Sequence, residues 1–313
     1  MKNNMNNHQS PLVSVLIPTY NRPHFFEIAL ESVLAQTYKN LDIVICDNST
    51  NEETAELMKR YEEDSRICYI RNKKARTKKA NFAPFATAAH GEYLQWLMDD
   101  DVLETTKIEK MLTLFLENPG VTLAASNRRW IDAVGNEISM EKQVNLGEDV
   151  EYAVIEGKRL GKYMLMGVRN LIGEPSSVLF RRADLQHHYW QAECRGYKTI
   201  SDVVMWLELL EKGDCAFFQQ PLSSYRRHQE QEGQQIDVVV LSRLEWIRLI
   251  GEAHKSGYFI SDRSEYITAM QRFLLDAESV ILPAVKNLES NHIVQQYKEQ
   301  IKEIRCKIEM DHL

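Results

Sequence analysis

Short apolar runs alternate with amphipathic stretches through the first half of the chain, and this alternation predicts strands followed by helices. Three of the runs are continuous: LVSVLIP from Leu12, LDIVIC from Leu41 and EYLQWLM from Glu92. Such runs are typical of strands that are buried on both faces of a sheet. After the first run, PHFFEIALESVLAQT places Pro23 early in a helix and repeats apolar residues at helical spacing. We therefore predict an α/β fold in which helices cover both faces of a mostly parallel central sheet.

Less regular patterns predict the remaining elements of the first 235 residues. Before residue 130 we expect a helix over 51–63, a strand at ICYI, a helix over 78–91 that Pro84 interrupts, and a strand at VTLAAS. Farther along we expect a hairpin around Gly135, a helix over 156–166, a strand at SSVLFRR, a short helix over 183–191 and strand-like segments in CAFFQQPLSSYRRH. SDVVMWLELLEKGD predicts a helix with Ser201 as its N-cap and Gly213 as its stop.

The sequence from Ile236 onward is helical in pattern, which predicts a C-terminal helical extension. In HIVQQYKEQIKEIRCKIEM, apolar residues recur in steps of four and three, and they are Ile293, Tyr297, Ile301, Ile304 and Ile308. Such a seam can pack on the core of the protein itself, in a small bundle, or against a second subunit. A homo-oligomer formed through these helices is therefore one hypothesis.

Composition narrows the classes of function. The 313 residues carry a net charge of −7, which disfavours general nucleic-acid binding. Five cysteines without a C-x-x-C pair indicate neither a disulfide framework nor a zinc site, and we expect Cys46, Cys68 and Cys215 to be small core residues. The polar start MKNNMNNHQS lacks the apolar core of a signal peptide, and no run approaches the ~18 apolar residues of a spanning helix. These features predict a cytoplasmic protein.

Polar side chains follow three predicted strands, at the edge where open α/β sheets bind ligands. The segments are PTYNR from Pro18, CDNST from Cys46 and MDDD from Met98. Tyr20 is a candidate for stacking on a nucleobase, and Thr19 or Asn21 for hydrogen bonding to it, although a plain strand-to-helix turn has the same pattern. The G-x-G-x-x-G and G-x-x-x-x-G-K-[ST] motifs are missing, which disfavours a dinucleotide crossover and a P-loop.

The third of these segments holds three consecutive aspartates, Asp99, Asp100 and Asp101. Carboxylates this close raise one another's pKa unless positive charge lies among them. Mg²⁺ and Mn²⁺ take carboxylate oxygens together with substrate phosphates and waters. The alternative is a solvated helix N-terminus, where capping and the helix dipole favour aspartate. The position of the cluster at the end of a buried strand favours the metal site.

The ordered motifs VSVLIPTYNR, LDIVICDNST and GEYLQWLMDDD, followed by TTKIEKM, resemble those of the family 2 glycosyltransferases over roughly residues 12 to 230. Asn81 and Gly91 match positions before the metal motif, GEPSSVLFRR the substrate-pocket segment, SDVVMWLELL the acidic motif and YRRH the late Arg-x-His segment. The resemblance implies a GT-A (Rossmann-like) fold and a nucleotide-sugar donor. It also implies a division into a disordered tail (1–11), a glycosyltransferase domain (12–235, with a nucleotide-binding half 12–126 and an acceptor-side half 127–235) and a helical region (236–313).

The resemblance implies roles for individual residues. Asp100 is acidic in both alignments of the metal motif, so it is the first candidate metal ligand, with Asp101 beside it. Asp202 matches the catalytic base, whereas Ser201 replaces the usual glutamate before it, which leaves the acceptor contact of that position open. The implied nucleotide-binding residues, with Tyr20 and Asp47 at a base that is often uracil, are Pro18, Thr19, Tyr20, Asn21, Arg22, Asp47, Asn81 and Asp99. The implied substrate or diphosphate contacts are Glu174, Ser176, Arg226 and His228.

The chemistry of sugar transfer requires such groups. A departing nucleoside diphosphate develops negative charge that Mn²⁺, Mg²⁺, Arg or Lys can stabilise. The acceptor hydroxyl needs a carboxylate to take its proton, and we expect a helix dipole to keep Asp202 ionised for this task. The alternative role of Asp202 is helix capping together with Ser201. A single base without a second nucleophile implies inversion at the anomeric carbon.

The sequence also bears on two other classes of function and on the binding partners. A sugar-nucleotide pyrophosphorylase needs a Gly-rich phosphate loop after the first strand, and PTYNRPHFF lacks it. A non-catalytic sugar-nucleotide-binding or scaffold subunit would fit a degraded aspartate cluster or a missing base, and neither is seen. We expect a UDP-sugar donor and a glycan, lipid-linked or protein-linked acceptor. The basic run RNKKARTKK from Arg71 is either a solvated loop or a patch that attracts the donor or anionic lipid at the inner membrane face.

Overall fold

A single nine-stranded sheet organises the structure, a computed structural model that describes residues 10–73, 77–139, 144–185, 195–229, 235–288 and 290–310. The strands in chain order are β1 (Val13–Thr19), β2 (Leu41–Asp47), β3 (Ile67–Arg71), β4 (Tyr93–Trp96), β5 (Val102–Leu103), β6 (Val121–Ile131), β7 (Tyr152–Ile155), β8 (Val178–Arg181) and β9 (Asp214–Arg226). Their order across the sheet is β3-β2-β1-β4-β8-β6-β9-β5, and β7 pairs with β9.

Most of the sheet is parallel, as the sequence predicts. Strand β1 pairs in parallel with β2 and β4, β2 with β3, and β6 with β9. The short strands β5, β7 and β8 are antiparallel to their neighbours. All seven residues of β1 are buried, because helices cover both faces of the sheet, and this explains why the run lacks polar alternation.

The helices follow the predicted order. They are α1 (Pro23–Leu34), α2 (Glu53–Met58), α3 (Lys78–Phe82), α4 (Phe85–Ala88), α5 (Lys107–Glu117), α6 (Gly157–Gly167), α7 (Ser201–Leu210), α8 (Ile236–Ser256), α9 (Arg263–Asp276), α10 (Leu282–Ala284) and α11 (His292–Glu309). Pro23 occupies the first turn of α1, where its missing N–H costs no hydrogen bond. Pro84 separates α3 from α4, which confirms the predicted interruption.

Two apolar clusters lie on opposite faces of the sheet. On one face, Val13, Val15 and Ile17 of β1 join a cluster with buried residues of α1 and α5. On the other face, Leu16 joins a cluster that contains residues of α4, α6, α7 and the C-terminal helices. Because side chains alternate along a strand, the single buried run of β1 contributes to both clusters. The fold is therefore a three-layer α/β arrangement with a helical extension on one side.

The C-terminal helices pack on the rest of the protein. Tyr297, Ile301 and Ile304 of the predicted seam are buried, and Ile293 and Ile308 are partly buried against the same cluster. Of the three arrangements that the pattern allows, the structure shows packing on the protein's own core, so the seam does not itself indicate a second subunit. No helix among the described residues combines the length and the apolar character that a membrane crossing requires.

A close contact joins the loop after α8, in the C-terminal extension, to α6 of the glycosyltransferase-like part of the chain. A Cβ atom at Gly161 of α6 would lie 2.2 Å from the Phe259 ring, so the ring packs directly against the glycine backbone. Gly161 is buried, and Phe259 belongs to the same apolar cluster as Leu249 and Ile250 of α8. The glycine therefore allows the extension to approach α6 at a distance that any side chain would prevent.

Several local predictions need correction. Ser201 is not the N-cap of α7: the helix begins at Ser201, Ile200 precedes it, and the Ser201 hydroxyl donates to the Tyr197 carbonyl oxygen at 2.9 Å. The predicted segments around 215–228 form one strand, β9, because it pairs with β6 along most of its length. Cys68 is exposed rather than part of the core. The pairing of β9 with β6 depends on residues that are distant in the sequence, whereas the hydroxyl bond of Ser201 is local and joins it to a residue four positions earlier.

Other predictions are confirmed or lie outside the description. The hairpin around Gly135 forms, with the N–H of Ile138 donating to the Trp130 carbonyl at 2.8 Å. Of the short helix expected over 183–191, the structure shows a 3₁₀ turn at Arg182–Asp184, and residues 186–194 lie outside the described residues. The same is true of residues 1–9 of the predicted tail and of 74–76 in the basic run.

Candidate active site

The ends of β1, β2 and β4 meet at one edge of the sheet. The Thr19 hydroxyl donates to Asp99 Oδ2 at 3.0 Å, and the Tyr20 N–H donates to the same oxygen at 3.2 Å. The N–H of Asn48 donates to the Thr19 carbonyl at 3.3 Å. Parallel strands bring their carboxyl ends to one edge, so the segments PTYNR, CDNST and MDDD form one site.

Asn21 shapes the turn after β1. Its backbone has φ of 53°, a left-handed conformation that asparagine tolerates better than most residues. Its N–H donates to the Ser49 hydroxyl at 2.8 Å, and its side-chain oxygen accepts the N–H of Thr50 at 2.8 Å. The turn is thereby locked to the end of β2, and half of the Tyr20 side chain is left exposed beside it.

Asp47, predicted at the nucleobase, is fully buried at the end of β2. Its carboxylate accepts the Tyr69 hydroxyl at 2.5 Å and the Ser49 N–H at 2.7 Å, and the Arg71 guanidinium lies 3.8 Å away. Burial is the larger cause, and the bond to Asp47 the second, of a raised pKa of Tyr69. Any contact of Asp47 with a base therefore has to share a carboxylate that these neighbours already use.

Two amide oxygens in the segments predicted to bind the nucleotide have no hydrogen-bond partner among the described residues. They are Oδ1 of Asn48, which follows Asp47, and Oδ1 of Asn81 on α3, and both are buried. Buried polar atoms normally have partners, so an unpartnered one marks a place where a ligand or water can bind. Asn81 was predicted from the sequence, whereas Asn48 was not singled out.

Asp99 and Asp100 share one arginine. Nη1 of Arg22 lies 3.3 Å from a carboxylate oxygen of each. Nε2 of His228, at the end of β9, lies 2.9 Å from Oδ2 of Asp100. Burial, followed by the charge of Asp100, raises the pKa of Asp99 to about 6 despite the arginine. The side chains of Asp100 and His228 therefore converge, as a pair of metal ligands would, from two distant parts of the chain.

Asp101 has a supporting position rather than an open one. It is completely buried, and its carboxylate accepts the Ser176 hydroxyl at 2.5 Å and the Arg226 N–H at 3.1 Å. Burial and then the charge of Asp100 raise its pKa well above the usual range. The Ser176 hydroxyl also accepts the Met98 N–H at 3.0 Å. Asp101 and Ser176, predicted at metal and substrate, together brace the loop that carries Asp100.

Arg226 likewise braces this loop, although the sequence placed it at the diphosphate. The residue is buried, and its guanidinium donates to the backbone carbonyls of Asp100 (2.8 Å), Asp132 (3.1 Å) and Ala133 (3.3 Å). Its central carbon lies 5.0 Å from the centre of the Phe25 ring, within cation–π distance. This placement argues against a direct contact of Arg226 with the donor.

Glu174 and Lys107 form a charged layer behind the aspartates. Glu174 pairs with Arg128 at 2.8 Å. Lys107 is fully buried in the first turn of α5, and its Nζ donates to the Ser177 carbonyl at 3.0 Å. Burial lowers the pKa of Lys107 to about 7, and the charge of Glu174 opposes that shift. Sequence reasoning missed Lys107, and its only signal was a lysine at a position where α5 is otherwise apolar.

Asp202 lies in the first turn of α7, partly buried, on the far side of the 170–177 loop. The Asn170 amide donates to its Oδ2 at 3.1 Å. Burial raises the pKa of Asp202 to about 7, the backbone N–H of Val203 opposes this, and the charge of Glu174 adds to it. The expectation that the helix dipole keeps this carboxylate fully ionised is therefore wrong, because desolvation outweighs the helix N-terminus.

The donor set at Asp100 and His228 fits a divalent cation. No group of three His, Cys, Asp or Glu side chains among the described residues is arranged to hold a metal. Mg²⁺ commonly takes only one or two protein carboxylates and completes its shell with phosphate oxygens and waters. The Asp100 carboxylate suits Mg²⁺ or Mn²⁺, whereas the imidazole of His228 is a ligand more typical of zinc. The charge of Asp100, which after burial is the second cause of the raised pKa of Asp99, also favours a cation here.

The fold defined by these elements is shared with solved structures of other proteins. A crystal structure of S. aureus TarS 1-349 superimposes with a TM-score of 0.62 at 12% sequence identity, covering 95% of this chain and 80% of that one. The complex of TarS 1-349 with UDP-GlcNAc gives a TM-score of 0.56 at 10% identity, covering 96% and 92%. At such identities the likeness establishes the shared GT-A fold.

The chain belongs to glycosyl transferase family 2, whose family model matches residues 14–187, more than half of its length. Among its relatives, UDP-Glc:alpha-D-GlcNAc-diphosphoundecaprenol beta-1,3-glucosyltransferase WfaP of Escherichia coli is 28% identical over 205 residues, which cover 64% of this chain and 71% of WfaP. An uncharacterized glycosyltransferase of Rickettsia prowazekii (strain Madrid E) is 34% identical over 114 residues, which cover 36% of this chain and 35% of that protein. The chain is therefore a glycosyltransferase.

Proposed function

We propose that the chain is an inverting glycosyltransferase that moves a sugar from a UDP-sugar to an acceptor hydroxyl, with Asp202 as general base and Mn²⁺ or Mg²⁺ as cofactor. The observation that carries the proposal is the 170–177 loop, which contacts both parts of the site. At one end the Asn170 amide donates to Asp202 at 3.1 Å, and at the other the Ser176 hydroxyl donates to Asp101 at 2.5 Å. A base and a donor site held by one short loop suit a reaction in which acceptor and donor meet.

The donor proposal draws on relatives and on the residues at the sheet edge. WfaP is named for UDP-Glc, and TarS was crystallised with UDP-GlcNAc. In this chain Tyr20 is half exposed beside the β1 turn, and the buried Oδ1 atoms of Asn48 and Asn81 have no hydrogen-bond partner among the described residues. We assign the nucleobase to Tyr20 and these polar groups, and the ribose to Asp99 and Arg22.

The chemistry follows from the carboxylates. A divalent cation held by Asp100 and His228 would stabilise the charge of the departing diphosphate. Asp202 accepts the proton of the acceptor hydroxyl, and a pKa near 7 suits this role because a base works best when its pKa is near the operating pH. Asn170 holds the carboxylate through Oδ2. In-line attack with one base and no covalent intermediate inverts the anomeric carbon.

The acceptor and location are proposed at a coarser level. WfaP is named for an acceptor linked to diphosphoundecaprenol, which supports a lipid-linked glycan here and disfavours a protein-linked acceptor. Such an acceptor calls for a cytoplasmic enzyme in peripheral contact with the inner membrane face. The basic run from Arg71 is a candidate for that contact, since lysine and arginine are attracted to anionic lipid.

We also propose the division into a nucleotide-binding half (12–126), an acceptor-side half (127–235) and a helical region (236–313). Strands β1 to β4 form the donor edge in the first, and Asp202 lies in the second. The homo-oligomer proposal has lost the isoleucine seam as its support, because the seam is buried within the chain. Size-exclusion chromatography with light scattering tests it.

The test of the proposed function is a screen of nucleotide sugars for slow hydrolysis in the presence of Mn²⁺, which requires no knowledge of the acceptor. We expect one or a few UDP-sugars to be hydrolysed, and hydrolysis to stop when a chelator is added. Binding of UDP-sugars without any hydrolysis would instead favour the non-catalytic sugar-nucleotide-binding subunit. Hydrolysis restricted to another nucleotide would disprove the UDP assignment alone.

A further inference from the structure

The segment that leads into α7 is held by a buried carboxylate from the C-terminal helical region. Glu245 of α8 is 4% exposed, and it accepts the backbone N–H groups of Lys198 (2.7 Å), Thr199 (2.9 Å) and Ile200 (3.1 Å). The Thr199 hydroxyl donates a fourth hydrogen bond at 2.6 Å. A single side chain therefore fixes three consecutive backbone units immediately before the helix that carries Asp202.

The same face of α8 holds the residues just before this segment. The Tyr197 hydroxyl donates to Glu252 at 2.7 Å, and the Tyr197 ring lies 4.5 Å from the guanidinium carbon of Arg248. Arg248 also donates to the Arg195 carbonyl. Residues 245, 248 and 252 are spaced by three and four positions, so they project from one face of the helix. The contact is thus a continuous face of α8.

A single residue, Ser201, separates Asp202 from the last backbone unit that Glu245 binds. Ile200, whose N–H binds Glu245, precedes α7, and Asp202 is the second residue of that helix. The Ser201 hydroxyl ties the first turn back to the Tyr197 carbonyl, which the same face of α8 supports. Movement of the 198–200 segment would therefore move the carboxylate of Asp202 relative to the donor site.

Docking of α7 does not need Glu245. The helix already buries Val203, Trp206, Leu207 and Leu210 in the apolar cluster. A buried carboxylate costs free energy unless its hydrogen bonds compensate, so its presence calls for a role beyond packing. What the four bonds determine is the position of the N-terminal end of α7.

We propose that Glu245 is a positioning residue for glycosyl transfer, which from the C-terminal helical region fixes residues 198–200 and thereby the place of Asp202 in the site. The inference rests on the proposed function of Asp202 as base. It assigns the helical region, for which the sequence predicted only packing or assembly, a part in the reaction.

The charge of Glu245 gives the proposal a measurable signature. Among the groups that act on the carboxyl of Asp202, burial raises its pKa most, the Val203 N–H lowers it, and the charges of Glu174 and Glu245 raise it. Asn170 contacts the carboxyl but is uncharged. Replacing Glu245 with an uncharged residue should therefore shift the pH profile of the reaction to lower pH, while the positioning role itself is read from a fall in kcat at unchanged UDP affinity.

The experiment compares Glu245→Gln with Asp276→Asn, a matched change from carboxylate to amide. Asp276 lies 3.3 Å from Arg243 of α8, and within the described part of the chain no hydrogen bond or ion pair joins it to the 198–200 segment. The UDP-sugar found active in the hydrolysis screen is the probe, and kcat, KM, UDP affinity and the pH profile are measured for wild type, both variants and Asp202→Asn. For Glu245→Gln we expect kcat to fall roughly 10- to 100-fold. Its UDP affinity should stay unchanged and its pH inflection should move down, while Asp276→Asn resembles wild type.

The outcomes separate the two proposals. A folded Glu245→Gln variant with wild-type kcat and an unshifted inflection, beside an inactive Asp202→Asn, overturns the positioning role and leaves the base assignment intact. A normal rate in Asp202→Asn overturns the base assignment itself. Should Glu245→Gln not fold, Thr199→Val removes only the 2.6 Å hydroxyl bond to Glu245. We then expect a smaller fall in kcat at unchanged UDP affinity, and a wild-type kcat overturns the inference.

Discussion

The part of the site proposed to bind the donor (the donor side) and the part that contains Asp202 (the base side) are held in place by different kinds of contact. On the donor side, Thr19, Asp47 and Asp99 end neighbouring parallel strands, so the sheet itself brings them together. On the base side, Asp202 depends on Asn170 from a loop and on Glu245 from a helix near the C-terminus. The family match, residues 14–187, includes the donor side and ends before Asp202. The first geometry is a property of the sheet, and the second depends on individual long-range contacts.

The difference should appear in mutant behaviour as a separation of binding from turnover. Changes on the donor side should weaken UDP binding, whereas changes on the base side should slow the reaction of bound donor. The following experiments test that separation, from the largest expected effect to the smallest.

Asp202→Asn should lower the rate of donor hydrolysis by about 10²–10⁴-fold, because the amide cannot accept a proton. UDP affinity should stay unchanged. In wild type the rate should rise with pH through about 7, where Asp202 ionises.

Thermal unfolding provides the control for Asp202→Asn. Because the folded pKa of Asp202 lies above its unfolded value of 3.8, this carboxyl stabilises the protein least once pH exceeds about 7. The melting temperature of the variant at neutral pH should therefore equal or exceed that of wild type. A full hydrolysis rate in such a stable variant would return Asp202 to a helix-capping role.

Asp100→Ala should weaken UDP binding in Mn²⁺ by roughly 10²-fold, since it removes a hard oxygen ligand from a site with few protein ligands. Calorimetric titration with UDP measures the change. With a chelator in place of Mn²⁺, wild type and variant should bind UDP alike. Equal affinities in Mn²⁺ would contradict the assignment of Asp100 to the metal.

Tyr20→Ala should weaken UDP binding about ten-fold, since a base stacked on an aromatic ring contributes ~1–3 kcal/mol. Tyr20→Phe, which keeps the ring, is the matched control and should bind UDP as wild type does. The kcat of saturated enzyme should be the same in all three proteins. A loss of kcat with Tyr20→Ala would contradict the predicted separation of donor binding from turnover.

Lys107→Met should flatten the pH dependence of stability above pH 7, beside the loss of the buried bond to the Ser177 carbonyl. The folded pKa of Lys107, about 7, lies below its unfolded value of 10.5, so above pH 7 the unfolded state binds the extra proton. Wild-type stability should therefore gain up to about 1.4 kcal/mol per pH unit from this residue as pH rises above 7. Denaturant unfolding between about pH 7 and pH 8.5 should show this gain in wild type and a flatter profile in the variant.

The sequence predicted the donor side more completely than the base side, for physical reasons. The continuous apolar runs that form β1, β2 and β4 could be recognised in the sequence as buried strands. Parallel strands then bring their carboxyl ends to one edge of the sheet. It could not be read from the sequence that Asp101 and Arg226 would turn inward, because their partners, Ser176 and backbone carbonyls, are distant in sequence.

For Asp202 the sequence indicated the residue but misjudged its state. The helix start was readable within one residue, yet the ionisation of its carboxyl depends on desolvation by the surrounding fold. The role of Glu245 was invisible, since an acidic residue in EWIRLIGE looks like part of a solvated helix face. Only the structure shows that it is buried against the 198–200 segment.

The contact of Gly161 with Phe259 limits how this enzyme could be recombined with its relatives. Exchange of residues 236–313 alone would place a foreign ring, or none, against a helix backbone that leaves no space for a methyl group. A chimera that keeps its activity should therefore exchange α6 and α7 together with the extension, so that the crossover falls before residue 157 rather than at 236.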